Sequence, residues 1–371
     1  MTDKQKNQFR ACLLAGACGD ALGAAVEFDR YSAILAKHGP SGIRDFKPCY
    51  QRLGAVTDDT QMSLFTAEGL LRGYVRGRLR GTSSYTGTVA HAYIRWLRTQ
   101  GDNNPHTLTI AKNDGWLFGL SDLHHPRAPG TTCLIALRAM TAFGRPAVND
   151  SKGCGGIMRV APVALFLATG RKRESFTGEE SFQLANDIAA LTHGHPTGQL
   201  SAGVFATILE GLLLGVPLHD ALDKARQILQ RYPGHQETLM AMTAADLQAQ
   251  SNLSSVLAIA ELGEGWVAEE ALAIALYALM TTSSLEEAVI LGVNHDGDSD
   301  STGLLAGQLA GAIYGTEAVP GRWLEQLELR QVIDQVALDL YEYPTWRVED
   351  LSCDEDDRQN TEQILRRYPG H

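Results

Sequence analysis

The sequence has little positive charge, scattered cysteines and no long apolar run, and each of these shortages excludes a class of protein. Lys and Arg number 32 against 43 Asp and Glu, which gives a formal charge of −11 over 371 residues. A surface that grips nucleic-acid phosphates needs a basic stripe, so nucleic acid is not expected as a partner. With 44% apolar and 20% charged residues, the chain has material for a large core and no signature of disorder.

Cysteine spacing and apolar runs both point away from export and from membranes. The six cysteines include no C-x-x-C pair and none of the close spacing of a zinc ribbon, so free thiols in a reducing cytosol are predicted. The best apolar stretch, residues 204–216, contains Glu210 and falls short of the ~18 residues of a membrane span. The apolar stretch near the N-terminus is at the bottom of the length range of a signal peptide and continues into Gly19-Asp20 on the same helical pattern, so no signal peptide is expected. A cytoplasmic protein with no membrane partner is expected.

Apolar residues recur at three- and four-residue steps along most of the chain, and alternating runs are almost absent. This periodicity indicates an all-α fold of about a dozen helices. The predicted helical segments are residues 8–25, 62–75, 89–98, 132–143, 160–168, 182–191, 199–214, 218–232, 267–280, 285–293, 303–314 and 322–341. Residues 99–130 and 169–180 are predicted loops. No linker is evident, so a single compact domain is expected over residues 1–371, with its core at roughly 10–345 and a tail at 349–371.

Two segments are nearly identical, QILQRYPGH at 227–235 and QILRRYPGH at 363–371. In each copy, a helix that reaches Arg-Tyr is stopped by Pro-Gly. Two copies do not make a repeat array, which needs a fixed short period and usually at least three units. The motif therefore predicts a local shape and no function.

Two oxygen-rich segments each stand at the start of a predicted helix, VTDDTQ at 56–61 and NHDGDSDST at 294–302. Each has a local explanation, because Asp, Ser and Thr cap helix N-termini and Asp58 with Gln61 fits a capping box. Capping does not require several crowded carboxylates, whose charges raise one another's pKa unless a cation neutralises them. Carboxylates mixed with hydroxyls are ligands of Mg²⁺, Mn²⁺ or Ca²⁺. The hypothesis is that both segments meet around one or two metal ions.

Glycines in the helix after the second segment form a four-residue stripe: Gly303, Gly307, Gly311 and Gly315. Each glycine costs about 1 kcal/mol relative to Ala inside a helix, so the stripe indicates very close packing against another helix. The first predicted helix is the expected partner, because Gly16, Gly19 and Gly23 give it a similar smooth face. This packing would bring Asp20 and Glu27 near the proposed metal site.

A glycine-rich segment, SKGCGGIMR at 151–159, precedes a predicted helix and is a weak phosphate-binding signal. It lacks the spacing of a Walker loop or a dinucleotide fingerprint, so a tight turn explains it equally well. Cys154 in this segment has no assignable base, which favours a small loop residue over a nucleophile. His193 and His195 stand before another predicted helix, but their spacing is not that of a zinc-binding helix.

Taken in order, these segments resemble the motifs of the ADP-ribosylglycohydrolase family, whose founding members reverse ADP-ribosylation of proteins. The matching motifs are Gly19-Asp20-Ala21-Leu22-Gly23 with Glu27, Thr57-Asp58-Asp59-Thr60, the glycine-rich segment ending in Met158-Arg159, Thr192-His193 with Pro196, and Gly297-Asp298-Ser299-Asp300-Ser301-Thr302-Gly303. Any one motif is unspecific, whereas the ordered set is specific. The resemblance implies an all-α hydrolase with a binuclear centre of two Mg²⁺ ions, or Mn²⁺ in their place.

The resemblance also implies roles for individual residues. Those that match the metal ligands of the family are Thr57, Asp58, Asp59, Asp298, Asp300 and Ser301. The candidate catalytic carboxylates are Glu27, Asp59 and Asp300. Those implied to hold ADP-ribose are Asp20, Gly153, Cys154, Gly155, Gly156, Met158 and His193. Two positions depart from the family, because Cys154 stands where Asn is common and Ser301 replaces the commoner Thr.

The implied reaction removes ADP-ribose from modified protein side chains, with the N-glycosidic linkage to arginine favoured, so the partner is an ADP-ribosylated protein. The alternative is a binding or immunity protein that holds ADP-ribose without turnover, or that blocks a cognate ADP-ribosyltransferase toxin by direct contact. The tail at 349–371 and the loop at 169–180 are where such a contact is expected. The intact acidic residues of both oxygen-rich segments favour the enzyme.

Overall fold

The computed structural model describes residues 3–102, 108, 113–348 and 355–370, and every regular element in these ranges is helical. The α-helices are α1 (Asp3–Gly23), α2 (Tyr31–His38), α3 (Asp58–Arg80), α4 (Tyr85–Thr99), α5 (Thr131–Ala139), α6 (Ala161–Ala168), α7 (Glu179–Ala190), α8 (Pro196–Leu213), α9 (Leu218–Leu229), α10 (Gln236–Ala249), α11 (Ser255–Leu262), α12 (Ala268–Thr281), α13 (Leu285–Val293), α14 (Ser299–Tyr314), α15 (Gly321–Gln326), α16 (Arg330–Glu342) and α17 (Glu355–Arg367). Two isolated bridges are the only β pairing in the described ranges. The all-α prediction is confirmed.

Helices α2, α10 and α11 were not predicted from the sequence, only the end of α17 was predicted, through the repeated segment, and one predicted helix is broken. Helices α2 and α11 have eight residues each, too few to establish a helical period. Helix α10 buries only Thr238, Met242 and Ala245, so its apolar face is weak, and the sequence of α17 is mostly polar. The segment predicted as one helix at 322–341 forms α15 and α16, because Leu329 adopts a left-handed conformation, with φ of 57°, between them.

Helices α1 and α14 run antiparallel and are close enough for their backbones to touch. A Cβ added to Gly19 would lie 2.0 Å from the carbonyl oxygen of Gly303, and one added to Gly307 would lie 2.3 Å from that of Ala15. The predicted packing of the two glycine faces is therefore confirmed. Gly315 is not part of the stripe, because it ends α14 with φ of 78°. This contact places the C-terminus of α1 beside the N-terminus of α14.

Gly307→Ala is expected to lower the free energy of unfolding by about 2 kcal/mol or more, because the new methyl group would meet a backbone carbonyl rather than a flexible side chain. Gly77→Ala in α3 is the matched control, since its Cβ would have only the Ser83 side chain within 4 Å, at 3.7 Å. There alanine should stabilise the helix by up to ~1 kcal/mol. Chemical denaturation measures both changes, and equal effects would contradict the close packing.

The C-terminal segment is part of the core. The Tyr368 ring is fully buried and stacks on Trp346, with ring centroids 5.6 Å apart, and its hydroxyl donates to Asp339 Oδ2 at 2.6 Å. In the other copy of the repeated segment, Tyr232 is only half-buried and stacks on Phe182. The two copies thus share a local sequence and have different environments.

Two further predictions concern the chain as a whole. Cys12, Cys18, Cys49, Cys133 and Cys154 are free thiols, as predicted, and Cys353 lies outside the described residues. None of the helices in the described ranges is both long and apolar enough to cross a membrane. One hydrophobic core extends from α1 to the end of α17. The single-domain organisation stays a prediction.

Candidate active site and metal centre

The first acidic segment opens α3. Thr57 is the N-cap, and its hydroxyl accepts a hydrogen bond from the Asp59 N–H at 3.3 Å. Beneath it, the fully buried Asp20 carboxylate of α1 accepts from two N–H groups at the start of α3, the Thr57 N–H among them at 3.0 Å. The Gly130 N–H donates to Asp58 Oδ2 at 3.1 Å. These bonds hold Asp58 and Asp59 in the first turn of the helix.

The second acidic segment opens α14. Gly297, just before it, has φ of 112°, and a Cβ there would lie 2.0 Å from the Glu264 carbonyl oxygen, so only glycine fits this turn. Asp298 is the N-cap, and its N–H donates to the same carbonyl at 2.8 Å. The buried Thr302 hydroxyl lies 2.7 Å from the Asp298 carbonyl oxygen. The turn therefore fixes Asp298 and Asp300 at the start of α14.

The two segments meet at the ends of their helices. The Ser301 hydroxyl of α14 donates to Asp59 Oδ2 of α3 at 2.7 Å, which confirms the predicted meeting of the segments. Glu27, in the turn after α1, joins Asp298 and Asp300, and each of the three offers a carboxylate oxygen within 4.8 Å of the others. The acidic cluster is defined as Glu27, Asp58, Asp59, Asp298 and Asp300.

Burial and mutual repulsion raise the pKa values in the acidic cluster. The pKa of Glu27 is raised to about 10, first by burial and then by the charges of Asp300 and Asp298. Burial also raises the pKa values of Asp58, Asp59 and Asp298 well above their usual range, and the neighbouring carboxylates add to the effect. The described residues around this cavity include no Lys or Arg. A divalent cation would reverse the balance, because it supplies the missing positive charge.

The glycine loop, residues 151–156, faces the acidic cluster across a cavity of about 210 Å³. Its backbone is tied to the start of α12, because the Cys154 N–H donates to the Trp266 carbonyl at 3.1 Å and the Lys152 carbonyl accepts from the Ala268 N–H at 2.9 Å. The cavity is lined by Glu27, Asp58, Asp59, Ala128, Gly130, Thr131, Thr132, Cys133, Gly153, Cys154, Gly155, Met158, His193, Trp266, Asp298, Asp300 and Ser301. Acidic side chains and the glycine loop thus line the same cavity and meet where Cys154 lies beside Asp298.

The two histidines of the fourth motif have different positions. His193 is buried and lines the cavity, and its pKa is lowered to about 3, first by burial and then by the charge of Arg159. His195 is the N-cap of α8, where its Nδ1 accepts from the Thr197 N–H at 3.2 Å. Only His193 faces the space that a ligand could enter.

Three of the predicted site residues do not line the cavity: Asp20, Thr57 and Gly156. Both oxygens of Asp20 accept backbone N–H groups at the start of α3, so this side chain positions the helix instead of contacting a substrate as predicted. Thr57 caps α3, and Gly156 is buried against Ala189 and Gly198. Every other predicted site residue lines the cavity.

Cys133 and Trp266 also line the cavity, and no sequence pattern indicated either residue. Cys133 lies on α5, and its Sγ is 3.4 Å from Arg159 Nη1. The Trp266 side chain is 39% exposed and stacks on the exposed Phe28 ring, with centroids 6.0 Å apart. Neither residue belongs to a spacing pattern, so only the tertiary structure could reveal them.

The donor set of the acidic cluster fits a hard divalent cation. Its atoms are carboxylate oxygens together with the Ser301 hydroxyl, which are the ligands that Mg²⁺ and Mn²⁺ prefer. Glu27 Oε2 and Asp298 Oδ2 are buried and have no hydrogen-bond partner among the described residues, an arrangement that is costly unless a cation binds them. The Cys154 thiol lies beside Asp298, and burial raises its pKa well above the usual range, so it stays protonated and leaves the oxygens as donors.

Comparisons with known proteins agree with this geometry. The sequence pattern of the ADP-ribosylglycohydrolase family matches residues 1–349. The ADP-ribosylarginine hydrolase Tri1 of Pseudomonas putida is 26% identical over 90% of this chain and 77% of its own. An ADP-ribosyl-dinitrogen reductase glycohydrolase of Rhodospirillum rubrum is 25% identical over 85% of this chain and 88% of its own. A solved structure, an ADP-ribosylglycohydrolase-related protein complex, matches with a TM-score of 0.61 and 28% identity over 92% of this chain and 99% of that one.

Proposed function

Since the chain belongs to the ADP-ribosylglycohydrolase family and is an ADP-ribosylhydrolase, we propose that it removes ADP-ribose from arginine side chains of modified proteins with the help of two divalent metal ions. The observation that carries this proposal is the acidic cluster facing the glycine loop across one cavity. Buried carboxylate oxygens without partners among the described residues suit cations, and the three glycines of the loop leave room for a nucleotide-like ligand. The cavity therefore offers a place for the cations and a place for ADP-ribose, and the reaction requires both.

Two Mg²⁺ ions, or Mn²⁺ in their place, are assigned to the oxygen ligands of the two acidic helix starts. Those that line the cavity are Asp58, Asp59, Asp298, Asp300 and Ser301, and Thr57, the N-cap of α3, is included in the proposal although it does not line the cavity. When bound, such ions supply positive charge that orients the vicinal hydroxyls of the ribose and acidifies a water molecule. The chain contributes a donor set that is already assembled, because hydrogen bonds from helix N-termini hold the carboxylates in place.

Glu27 is assigned as the proton acceptor. It lines the cavity from the turn between α1 and α2, and its Oε2 has no hydrogen-bond partner in the described part of the chain. Water attacks the anomeric carbon, the bond from that carbon to the guanidino nitrogen breaks with its electron pair on nitrogen, and the proton of the water passes to Glu27 and from there to the departing guanidine. The products are ADP-ribose and unmodified arginine. Asp59 and Asp300, the other two carboxylates predicted to be catalytic, are assigned to the metal ions.

The glycine loop is assigned to the ADP-ribose moiety. A Cβ at Gly155 would lie 2.9 Å from Cys133 Sγ and 3.1 Å from His193 Cε1, so glycine leaves the cavity open at this point. Cys154 lies beside the acidic cluster, where the common Asn of the family would offer an amide. A thiol is a weaker hydrogen-bond donor than an amide, so backbone N–H groups of the loop take the larger share of ligand binding here.

The arginine linkage is supported by the chemistry of the leaving group and by the name of a relative. A guanidinium group is already cationic, so it leaves with less help from an acid than a neutral leaving group needs. Among the described lining residues, the carboxylates are assigned to the metal ions and to the attacking water, so none is assigned as an acid for the leaving nitrogen. The Pseudomonas putida relative is named an ADP-ribosylarginine hydrolase.

Direct contact with a transferase toxin, the alternative from the sequence, has no observation in its favour. Tyr368 fixes the described part of the tail in the core. In the loop at 169–180, Arg171 forms ion pairs with Glu180 and Glu210. Both regions thus contribute to this chain's own packing.

Incubation with arginine-linked, serine-linked and base-linked ADP-ribose tests the proposal. We expect release of ADP-ribose from the arginine conjugate with Mg²⁺ or Mn²⁺, and loss of release after chelation, because the cluster then lacks the charge that orients the ribose. Release from serine alone would contradict the linkage but not the hydrolase. Binding of ADP-ribose with no release from any conjugate would favour the binding protein.

A further inference from the structure

Arg159, at the end of the glycine-rich segment, is a buried cation without a carboxylate partner among the described residues. It has no exposed surface. Its Nη2 donates to Thr192 Oγ1 at 2.5 Å and to a backbone carbonyl of α7 at 3.3 Å, and its Nη1 lies 3.4 Å from Cys133 Sγ. The guanidinium also lies 4.4 Å from the centre of the Tyr93 ring. Burying a charge without an opposite charge beside it costs folding free energy. The position of Arg159 next to the cavity therefore needs a physical reason.

The hydroxyl of Thr192 connects this cation to His193. A guanidinium can only donate, so Thr192 Oγ1 is an acceptor toward Arg159 and has one proton left to give. Its possible acceptors are His193 Nδ1, at 2.8 Å, and the Cys133 thiol, which is the weaker acceptor. The cation polarises the hydroxyl and makes it a stronger donor. The hydroxyl proton therefore goes to Nδ1 of the imidazole.

The other ring nitrogen of His193 faces the cavity. Its imidazole is neutral, so a lone pair on Nδ1 places the proton on Nε2. Nε2 lies 3.5 and 3.4 Å from the positions that a Cβ would occupy at Gly153 and Gly155, and it has no hydrogen-bond partner among the described residues. An N–H group is thus presented to the ligand side of the glycine loop.

We propose that Arg159 and Thr192 are positioning residues that lock His193 in its Nε2–H tautomer, which donates a hydrogen bond to an anionic oxygen of the ADP-ribose diphosphate. The uncompensated charge of Arg159 favours an anion at this place, because no carboxylate neutralises it. The link from Arg159 through Thr192 to His193 is called the relay. It rests on the proposed function only for the identity of the ligand.

The tautomer of His193 is measurable in the full-length, ligand-free protein by long-range proton–nitrogen correlation spectra. The resonances of His193 are identified by their absence in His193→Gln. We expect a protonated Nε2 and an unprotonated Nδ1, because the Thr192 hydroxyl occupies the Nδ1 lone pair. A protonated Nδ1 in the wild-type protein would overturn the relay without the need for any variant of Arg159 or Thr192.

Thr192→Val removes the relaying hydroxyl at nearly constant volume, and Arg159→Met removes the donor that orients it. Both variants should show a mixture of tautomers. Calorimetry with ADP-ribose should show about a three- to tenfold weaker affinity for Thr192→Val, the size of one hydrogen bond. Thr192→Ser should restore both the tautomer and the affinity. Wild-type affinity in Thr192→Val would overturn the proposed role in binding.

Thr207→Val is the matched control, because Thr207 is another fully buried threonine, and its hydroxyl lies 2.9 Å from the Gly203 carbonyl inside α8. It should leave the His193 tautomer and the ADP-ribose affinity unchanged. If the protein hydrolyses a conjugate but its His193 carries the proton on Nδ1, the proposed relay is wrong and the proposed function stands. If His193 carries its proton on Nε2 and ADP-ribose binds tightly, but no linkage is hydrolysed, the proposed function is wrong and the relay stands.

Discussion

Asp300→Asn is expected to lower the rate of ADP-ribose release from the arginine conjugate at least about a thousandfold, roughly 4 kcal/mol of transition-state stabilisation. Asp300 stands in the first turn of α14, with a carboxylate oxygen within 4.8 Å of those of Glu27 and Asp298. The amide keeps the shape of the side chain but removes one negative charge from the metal ligand set. Release under saturating Mg²⁺ measures the loss, and near wild-type release would overturn the assignment of the metal site.

The same substitution should leave the protein folded. Asp300 raises the pKa values of Glu27, Asp58 and Asp59, so without a metal ion its charge opposes the others. The thermal midpoint of the chelated Asp300→Asn protein should therefore equal or exceed that of the wild type. A large decrease in that midpoint would make the loss of activity a consequence of unfolding.

Asp339→Asn is the matched control for this experiment. Asp339 is also buried, but it pairs with Arg367 at 3.2 Å and accepts from the Tyr368 hydroxyl, away from the cavity. The Arg367 side chain is 23% exposed, so losing the charge of its buried partner should cost about 1–3 kcal/mol of stability, and the folded protein should keep its activity. The two substitutions together separate catalysis from stability.

Chelation of divalent ions should make the stability of the protein fall as the pH rises. The pKa of Asp20 is raised to about 7 and that of Glu27 to about 10, in each case first by burial and then by the Asp300 charge, whereas the unfolded chain has the ordinary values of 3.8 and 4.5. The folded state therefore holds more protons. The stability that these groups contribute is complete below about pH 4 and is lost as the pH rises, through about 7 for Asp20 and toward 10 for Glu27.

Mg²⁺ should remove this dependence, because its charge compensates the ionised carboxylates. An ion at a hundred times its dissociation constant adds about 2.7 kcal/mol to the free energy of unfolding. Thermal unfolding at about pH 5 and about pH 8, with chelator and with Mg²⁺, measures both effects. A chelated protein that is equally stable at both pH values, or that gains nothing from Mg²⁺ at the higher one, would contradict a charged cation site.

The sequence predicted the helices with a strong apolar period and failed where that period was weak or absent. It predicted α13 with its observed bounds, because the buried residues of this helix recur at three- and four-residue steps, and it came close for α12, which is apolar and buried along most of its length. It missed α10, whose buried face is small, and it did not detect the break at Leu329, since a single left-handed residue leaves no trace in apolar spacing.

The residues of the site also fall into two groups, those that a sequence pattern indicated and those that no pattern indicated. Asp58, Asp59, Asp298 and Asp300 were recognisable because crowded carboxylates at helix starts exceed what capping requires. Trp266 and Cys133 were not, because each lines the cavity from an element whose own sequence has no unusual feature. Asp20 was assigned to the substrate, but the structure uses both of its oxygens to hold α3.

By itself, the sequence determined the all-α class, the two acidic helix starts and the pairing of two glycine-lined helices, because these follow from local chemistry and from the space that a side chain requires. Only the tertiary structure decided which of these groups share a cavity. The contact of α1 with α14 brings together residues from opposite ends of the chain. The fold likewise places Arg159, which has no carboxylate partner in the described part of the chain, behind His193. Such proximity depends on how whole helices pack, and no local pattern records it.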